Sequence, residues 1–275
     1  MAYSAPFQPV ILFTPETPAD KLAVDMVYSL QNDIRETMNT ERSQQTTIGL
    51  SEIGMECDRC VARMLSGQYA NIDDGDKGWK AQIGTFGHAG LEEHFAAKYP
   101  ALVGETPTDA APLYHLEQNL KLWQYKTLDL GGHCDLYIEG ETFGIVDDWK
   151  FQGPTKLKQT SAGKIGQQYT VQMSAYGLAW QQLGKLVTHV CLYALPRDGD
   201  LNEARPVLMR FDPKPAVDAL ARLQRMIDAA EILEAGFPGE GWDRLIRAQA
   251  RAGHCFSCAA YEAQEDRGFF GAMFN

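Results

Sequence analysis

The stretch FGIVDDWKFQG, residues 143–153, decides the predicted fold, because an apolar run of strand type ends in two adjacent carboxylates, an indole and an ammonium. Successive side chains of a strand face opposite ways, so Asp148 and Lys150 point to one side and Asp147 and Trp149 to the other. Ionised groups at the end of a buried strand need a metal ion, a partner or a reaction to offset their desolvation. The stretch therefore predicts a buried strand with a chemical site at its end.

The periodicity of the apolar residues places this strand in an α/β chain, a mixed β-sheet flanked by helices. Strands are predicted at 113–123, 128–140, 142–151, 186–195 and 204–212. Helices are predicted at 15–44, 51–65, 80–98, 165–184 and 214–236, a Lys-rich loop at 152–164, and short helices with loops at 237–275. The acidic stretch is then the third strand of the sheet.

The size of the chain indicates one globular protein. Its 275 residues, 45% of them apolar, are enough to bury about three quarters of the unfolded surface. We expect an extension with a long helix at 1–45, a core at 46–200, and a strand and helices at 201–275 that pack on the core as one unit. No apolar run approaches the roughly 20 residues of a membrane span, and the first residues lack the features of a signal peptide. A cytoplasmic protein with no membrane partner is therefore expected.

The charge is unevenly distributed. A net charge of −11 disfavours binding to nucleic acid, because phosphate contacts need Lys and Arg. Residues 151–197, however, contain no Asp or Glu, and Lys156, Lys158 and Lys164 fall there. This locally basic segment predicts a surface for a polyanion. The alternative is a chance gap in acids within a Gln-rich stretch.

Asp135, in the stretch GGHCDLYIEG, is expected on the strand that pairs with the acidic one. Carboxylates at Asp135 and Asp148 would repel each other unless a cation lay between them, and Mg²⁺ or Mn²⁺ accepts such oxygen ligands. Lys150 could then hold and help to deprotonate an attacking water, or neutralise charge on a phosphorane-like transition state. The alternative is a surface Asp–Lys pair of little consequence.

A helical histidine, two acidic strands and a Gln-x-x-x-Tyr helix follow one another along the chain. The matching residues are His88 in GTFGHAGLEEHF, Asp135 in GGHCD, Asp148 and Lys150 in DWK, and Gln172 and Tyr176 in QMSAY. In this order the chain resembles the PD-(D/E)XK nuclease superfamily, more closely its RecB-type exonuclease branch, which includes the iron–sulfur nucleases of CRISPR adaptation. The resemblance implies a restriction-endonuclease-like fold.

The resemblance also implies a role for each matching residue. His88, Asp135 and Asp148 would hold Mg²⁺ or Mn²⁺, with Lys150 assisting the attacking water. Gln172 and Tyr176 would contact the catalytic lysine or the DNA backbone. Taken one at a time, these residues have plainer interpretations, such as a hydrogen-bonded buried histidine and ordinary helix-surface side chains.

Two further carboxylates lie close to these residues in the sequence. Glu92 lies one turn after His88 on the same helix face and could orient it. Asp147 is the rival of Asp148 if the predicted strand register is wrong by one residue.

The function implied by the resemblance is metal-dependent DNA exonuclease activity that hydrolyses phosphodiester bonds. The short chain suggests DNA recombination, repair or replication in a phage or mobile element, hence the host cytoplasm, with any partner protein unidentified. The alternatives are an endonuclease of the same superfamily, a non-catalytic DNA-binding module, and a metal-sensing or redox protein that acts through its cysteines.

Two Cys-x-x-Cys pairs are separated by most of the chain, and such pairs are a strong signature of a metal site. The pairs alone favour Zn²⁺. The resemblance implies instead a 4Fe-4S cluster, although the branch places one ligand before the core and three after it, whereas this chain has two and two. We expect the cluster, with Zn²⁺ as the alternative, to join the helical N- and C-terminal layers. The predicted ligands are Cys57, Cys60, Cys255 and Cys258, whereas Cys134 and Cys191 are expected to be small buried hydrophobic residues.

Overall fold

The computed structural model describes most of the chain after residue 47. The described residues are 14, 16–18, 20, 21, 26, 48–68, 77–99, 106–253, 255 and 258, with 77–81 described as backbone only. The predicted helix at 15–44 lies almost wholly outside them, as does most of the predicted tail beyond 253. The chain divides into two compact units, one of residues 1–44 and 74–82, and one of 45–73 and 83–275. The sheet and both candidate metal sites belong to the second unit.

Within the described residues, one five-stranded sheet has the order β1-β2-β3-β4-β5. The strands are β1 (Leu113–Tyr125), β2 (Leu128–Glu139), β3 (Gly144–Gln152), β4 (His189–Pro196) and β5 (Arg205–Arg210). β3 and β4 run parallel, and the other neighbours are antiparallel. The predicted mixed sheet of an α/β fold is therefore confirmed.

The pairing of β2 with β3 is short. It begins with Glu139 opposite Gly144 and ends with Leu136 opposite Asp147. β3 nevertheless continues beside β4 as far as Gln152, and β2 continues beside β1. The two strands therefore separate beyond this point, and we call the gap between them the fork.

Helices cover the sheet. They are α1 (Asp58–Leu65), α2 (Lys77–Lys98), α3 (Pro154–Ser161), α4 (Gln167–Gln182), α5 (Lys214–Gly236) and α6 (Gly241–Ala248). None of the helices in the described part of the chain combines the length and the hydrophobicity that a membrane crossing requires.

Helix α3 corrects the predicted loop at 152–164. The Gly, Pro and Lys residues of this stretch read as breakers, but Pro154 occupies the first turn, where its missing N–H costs nothing. Leu157 and Thr160 are buried on one face of α3, and the Thr160 hydroxyl donates to Gln152 Oε1 at 2.9 Å. Two buried side chains one turn apart are thus enough to make this stretch helical.

The two faces of the sheet carry separate apolar clusters. The larger cluster includes Val146 of β3 together with Met173 of α4 and Leu223 of α5. On the opposite face Trp149 of β3 is buried, and the ring of Phe95 of α2 stacks on it with centroids 5.6 Å apart. Burying one aromatic side chain of this kind contributes roughly 2–3 kcal/mol. Because successive side chains of β3 point to opposite faces of the sheet, α4 packs on one face and α2 on the other.

The turn before α1 is fastened to α5 by one arginine. The Arg222 guanidinium donates to the carbonyl of Ile53 at 2.7 Å and to that of Met55 at 2.9 Å, and lies 3.4 Å from the Asp58 carboxylate. Backbone carbonyls left over at a turn need such donors. The helix therefore starts later than predicted, at Asp58, with Cys57 as its N-cap.

Candidate functional site

The fork lets a side chain of β2 reach the backbone of β3. Where the strands no longer pair, Asp135 Oδ2 accepts a hydrogen bond from the Trp149 N–H at 2.6 Å. The carboxylate thus replaces the missing strand partner of that N–H and is held at the sheet end. Asp135 is 7% exposed.

Three potential metal ligands meet at Asp135. His88 Nδ1, on α2, lies 3.4 Å from Asp135 Oδ1 and 3.9 Å from Glu117 Oε1 on β1. One ligand atom from each of the three residues lies within 4.8 Å of the others. The rings of Trp149 and Phe151 flank the imidazole, with centroids 6.0 and 5.8 Å from it. His88 and Asp135 are therefore brought together, as the sequence predicts.

Glu117 was not predicted. Its backbone has φ of 44°, in the left-handed region that a glutamate seldom adopts. The register of β1 with β2 is unchanged from Leu116, opposite Leu136, to Gln118, opposite Cys134, so Glu117 lies opposite Asp135. Strain of this kind is retained where the surrounding structure requires it and clusters at functional sites. Here it accompanies a carboxylate placed beside His88.

Asp148 lies across the fork in a separate network. Lys150 Nζ donates to Asp148 Oδ1 at 2.7 Å and to the Trp149 carbonyl at 3.3 Å, and Gln172 Nε2 of α4 donates to the same Oδ1 at 3.0 Å. The lysine nitrogen is also 2.7 Å from Oδ2, yet within the described residues that buried oxygen accepts no hydrogen bond. Both oxygens of Asp148 thus lie 2.7 Å from the lysine nitrogen, so metal binding by Asp148 would have to compete with this ion pair. We call His88, Glu117, Asp135, Asp148, Lys150 and Gln172 together the acidic site.

Burial and the neighbouring charges perturb this site strongly. Burial opposes the charge of His88, but hydrogen bonding to Asp135 and Glu117 outweighs it and raises the pKa of His88 to about 9. Burial raises the pKa of Asp148 to about 6, with Lys150 acting in the opposite direction. For Lys150 burial is likewise opposed, by Asp148 and Asp135, and the pKa of the ammonium is raised. Such shifts in one cleft are typical of functional sites.

Asp147, the rival carboxylate, lies on the opposite face of β3 from Asp148 and Lys150, as strand alternation predicts. It pairs with Leu136 on one side and Cys191 on the other, whereas Asp148 turns toward α4. Burial raises the pKa of Asp147 to about 7, with the Cys191 side chain acting against it. Asp147 is therefore a buried carboxyl group on the opposite face from the Asp148–Lys150 pair.

Of the remaining predicted residues, Tyr176 is hydrogen-bonded to Gln172, whereas Glu92 has no described contact with the acidic site. Glu92 is exposed on α2, and the contacts of His88 described above go to Asp135 and Glu117. Tyr176 is 4% exposed and its hydroxyl lies 3.2 Å from the position that a Cβ on Gly132 would occupy. A contact between Tyr176 and DNA would need its surroundings to move, and that role stays a prediction.

The composition of the acidic site suits an ion such as Mg²⁺ or Mn²⁺. Carboxylate oxygens are the ligands these ions prefer, and imidazole is more readily accepted by Mn²⁺ than by Mg²⁺. Glu117 and Asp135 would supply oxygens and His88 a nitrogen, and Asp148 could add an oxygen that it now shares with the Lys150 ammonium. A bound cation would also relieve the repulsion between these carboxylates.

A basic surface continues from the acidic site through Tyr169 of α4. Lys150 Nζ lies 6.0 Å and Lys156 Nζ 5.4 Å from the centre of the Tyr169 ring. Lys156 and Tyr169 also line a cavity of about 370 Å³ that reaches Cys57. The other two predicted lysines, Lys158 and Lys164, are exposed. Tyr169 was not singled out in the sequence, where no spacing signal marks it.

The two Cys-x-x-Cys pairs meet, and we call Cys57, Cys60, Cys255 and Cys258 the four-cysteine group. All four sulfurs lie within 4.8 Å of one another. Burial opposes a charge on Cys57, but the N–H groups of Ala252 and Cys60 and the neighbouring thiols lower its pKa to about 7. The other two cysteines, Cys134 and Cys191, are buried, as predicted.

Comparisons with known proteins find distant likenesses of fold. No family model matches the chain, and no curated protein does. The crystal structure of SSO0001 is 12% identical over 78% of this chain and 96% of its own, with a TM-score of 0.44. An alkaline exonuclease, LHK-Exo from Laribacter hongkongensis, is 13% identical over 74% of this chain and 92% of its own, with a TM-score of 0.39. These scores are too low to assign a function, which has to be argued from this chain's own residues.

Proposed function

We propose that the protein is a nuclease that hydrolyses DNA phosphodiester bonds with Mg²⁺ or Mn²⁺ bound at the acidic site. The observation that carries this proposal is the fork. It brings the His88, Glu117 and Asp135 ligands to one side of a gap whose other side carries Asp148 and Lys150. A cluster of potential metal ligands next to a buried ammonium is an arrangement suited to phosphoryl chemistry.

The side chains have separate tasks in this proposal. The chemistry that bound Mg²⁺ or Mn²⁺ supplies is polarisation of the scissile phosphate and acidification of a bound water. Lys150, fixed by Asp148 and by the Trp149 carbonyl, presents an ammonium that neutralises charge developing on the phosphate. Gln172 donates to Asp148 and so helps to fix the carboxylate that holds Lys150.

The basic segment offers a path for the DNA strand that leaves the acidic site. Lys156 and Tyr169 lie on the surface next to Lys150, so a DNA strand in the acidic site could pass over them, with Lys158 and Lys164 near its phosphates. Aromatic side chains stack on unpaired bases and lysines neutralise phosphates. We propose exonuclease rather than endonuclease action, and a phage or mobile-element setting, from the resemblance to the RecB-type branch.

The test is cleavage of matched linear and closed circular duplex DNA by the full chain, with Mn²⁺, with Mg²⁺ and with a chelator. We expect metal-dependent degradation of the linear form alone. The substitution Lys150→Met, which keeps the bulk of the side chain and removes its charge, should lower the rate by about 10²–10³. The matched control is Lys214→Met, because the Lys214 side chain is 72% exposed and pairs with Asp218.

Each outcome decides one part of the proposal. Nicking of the circles would replace exonuclease by endonuclease action. DNA binding without cleavage at any metal concentration would overturn the nuclease proposal in favour of a non-catalytic module. Circular dichroism of both variants shows that a lost rate is not a lost fold. Equal rates in Lys150→Met and Lys214→Met would remove Lys150 from the mechanism.

A further inference from the structure

The spacing of the four-cysteine group sets the size of what it can hold. Cys57 Sγ lies 3.5 Å from Cys258 Sγ, and Cys60 Sγ lies 3.3 Å from Cys255 Sγ and 3.4 Å from Cys258 Sγ. Every pair of sulfurs in the group is within 4.8 Å. These separations can be compared directly with those that each kind of metal centre requires.

A 4Fe-4S cluster does not fit this spacing. Each ligand cysteine binds a different iron of the cluster, so the ligand sulfurs stand apart by the span of the cluster in addition to the iron–sulfur bonds, about 6 Å in all. All sulfur pairs of the group are closer than that. Opening the group by more than 1 Å on every side would displace α1, which Arg59 ties to the chain after α6 by hydrogen bonds to the carbonyls of Gln249 and Ala250.

A single tetrahedral ion does fit. Four thiolates at the usual Zn–S distance of about 2.3 Å stand about 3.8 Å from one another at the corners of a tetrahedron. The three separations given above are slightly below this value, so the group needs to expand only slightly to hold such an ion. Three of the four cysteines are at most 3% exposed, those at 57, 60 and 258, whereas Cys255 is partly exposed beside the cavity, so most of the centre would be shielded from solvent, as in structural zinc sites.

The same backbone hydrogen bond occurs in both Cys-x-x-Cys pairs. The Cys258 N–H donates to Cys255 Sγ at 3.5 Å, and the Cys60 N–H donates to Cys57 Sγ. In both pairs the last cysteine therefore offers its N–H to the sulfur of the first. Such bonds stabilise the thiolate that a metal ion needs. Together the two pairs supply four sulfurs, the number of ligands that a tetrahedral ion needs.

We propose that the four-cysteine group holds one Zn²⁺ ion rather than the 4Fe-4S cluster that the family resemblance implies. The ion closes the chain between α1 and the residues after α6, with two ligands from each. This assignment does not depend on the proposed nuclease activity, because it concerns nuclearity and metal identity alone. A tetrahedron of four thiolates is a usual zinc site, and Zn²⁺ lies above Fe²⁺ in the order of affinities.

The test is metal analysis of the full chain, produced and purified without oxygen so that a cluster cannot be lost to air. Iron, sulfide and zinc are all supplied during production. We expect one zinc per chain, no sulfide and no visible absorption. Replacement of zinc by Co²⁺ should give the intense visible bands of a tetrahedral thiolate site. Iron with an equal amount of labile sulfide would overturn the proposal, and so would a single iron without sulfide.

Variants connect the metal to these particular cysteines. Cys60→Ser should reduce the zinc content several-fold, whereas Cys191→Ser, which changes a buried cysteine outside the group, should leave it unchanged. If Cys60→Ser fails to fold, release of zinc from the wild-type chain by titration with a thiol-reactive mercurial gives the same information. Zinc released in step with the reaction of the thiols supports the site, and zinc that stays bound after all the thiols have reacted overturns it.

Discussion

The acidic site and the four-cysteine group are both candidate metal centres, but the chain holds them in different ways. In the acidic site the side chains are already fixed by other protein groups, as Asp135 is by the Trp149 N–H and Asp148 by Lys150. In the four-cysteine group Cys57 and Cys258 are 201 positions apart, and the described side-chain contacts of Cys258 are with the other sulfurs of the group. The fold thus arranges the acidic site, whereas the four-cysteine group helps to hold distant parts of the chain together.

This difference predicts which property each ion controls. An ion bound by side chains that are already arranged adds chemistry and little folding free energy. An ion whose ligands come from distant parts of the chain contributes its binding free energy to folding. Removing metal should therefore abolish cleavage at the acidic site without unfolding, and should loosen the chain at the four-cysteine group. Substitutions in the two regions can separate these effects.

The largest effect is expected for Asp135→Asn. The amide oxygen can still accept from the Trp149 N–H, so the fork should persist, but the charge that holds the ion is lost. We expect the rate of DNA cleavage to fall by roughly 10³, while the free energy of unfolding, measured by urea titration, changes by less than about 1 kcal/mol. The control is Asp129→Asn on the same strand, whose side chain is 52% exposed. Full activity in Asp135→Asn would mean that the acidic site is only structural.

The next effect, on stability rather than rate, is expected for Cys258→Ser. Losing a thiolate ligand weakens metal binding, so the free energy of unfolding should fall by about 3 kcal/mol. Cleavage at low temperature should persist, because the acidic site is held by its own hydrogen bonds. The control is Cys191→Ala, a buried cysteine outside the group, with an expected loss of about 1 kcal/mol. If both variants lose the same stability, the group has no special role in closing the chain.

A smaller effect on rate is expected for Glu117→Gln, because Glu117 shares its position beside His88 with Asp135. We expect cleavage to slow by roughly 10- to 100-fold, with a higher concentration of Mn²⁺ restoring part of the rate. Glu93→Gln, an exposed change on α2, is the control. A slower rate that Mn²⁺ does not restore would point to lost substrate positioning instead of weakened metal binding.

The sequence predicts the parts of the acidic site that depend on periodicity. Alternation along β3 puts Asp148 and Lys150 on one face and Asp147 on the other, and all three side chains lie as this predicts. The contact of Gln172 with Asp148 was not among the predictions, in which Gln172 reaches the catalytic lysine or the DNA backbone. Periodicity is a local property, so a single sequence is enough to show it.

The parts that depend on distant pairing could not be predicted in this way. Glu117 joins His88 because of its left-handed backbone in β1 and the register of β1 with β2, and neither leaves a pattern in the sequence. Helix α3 was missed because Gly, Pro and Lys outweighed one buried Leu and Thr. The size of the metal centre could be judged only from the distances between the sulfur atoms in the structure, since Cys-x-x-Cys spacing fits both a zinc site and an iron–sulfur cluster.

The smallest effect is expected for Glu139, a carboxylate that already has basic side chains of the protein as partners and therefore needs no metal ion. Glu139 of β2 accepts from Lys185 Nζ at 2.8 Å and contacts His115 Nε2 at 2.8 Å. Burial opposes its charge, but these two partners outweigh burial and lower the pKa of Glu139 below its ordinary 4.5. The ionised side chain therefore contributes stability above pH 4.5, and this contribution is lost as the pH falls through the lowered pKa.

We expect Glu139→Gln to lower the free energy of unfolding by about 1 kcal/mol at pH 7, and the difference from wild type to vanish in acid, as followed by urea titration from pH 7 to pH 3. Glu141→Gln, exposed two residues later, should show no such dependence. Metal should not alter the Glu139→Gln result, because this carboxylate already has its cations. Asp135 and Glu117 differ in that they share the acidic site with a third carboxylate, Asp148, and a bound cation would relieve the repulsion among them, so Mn²⁺ should stabilise the wild-type chain slightly and fail to stabilise Asp135→Asn.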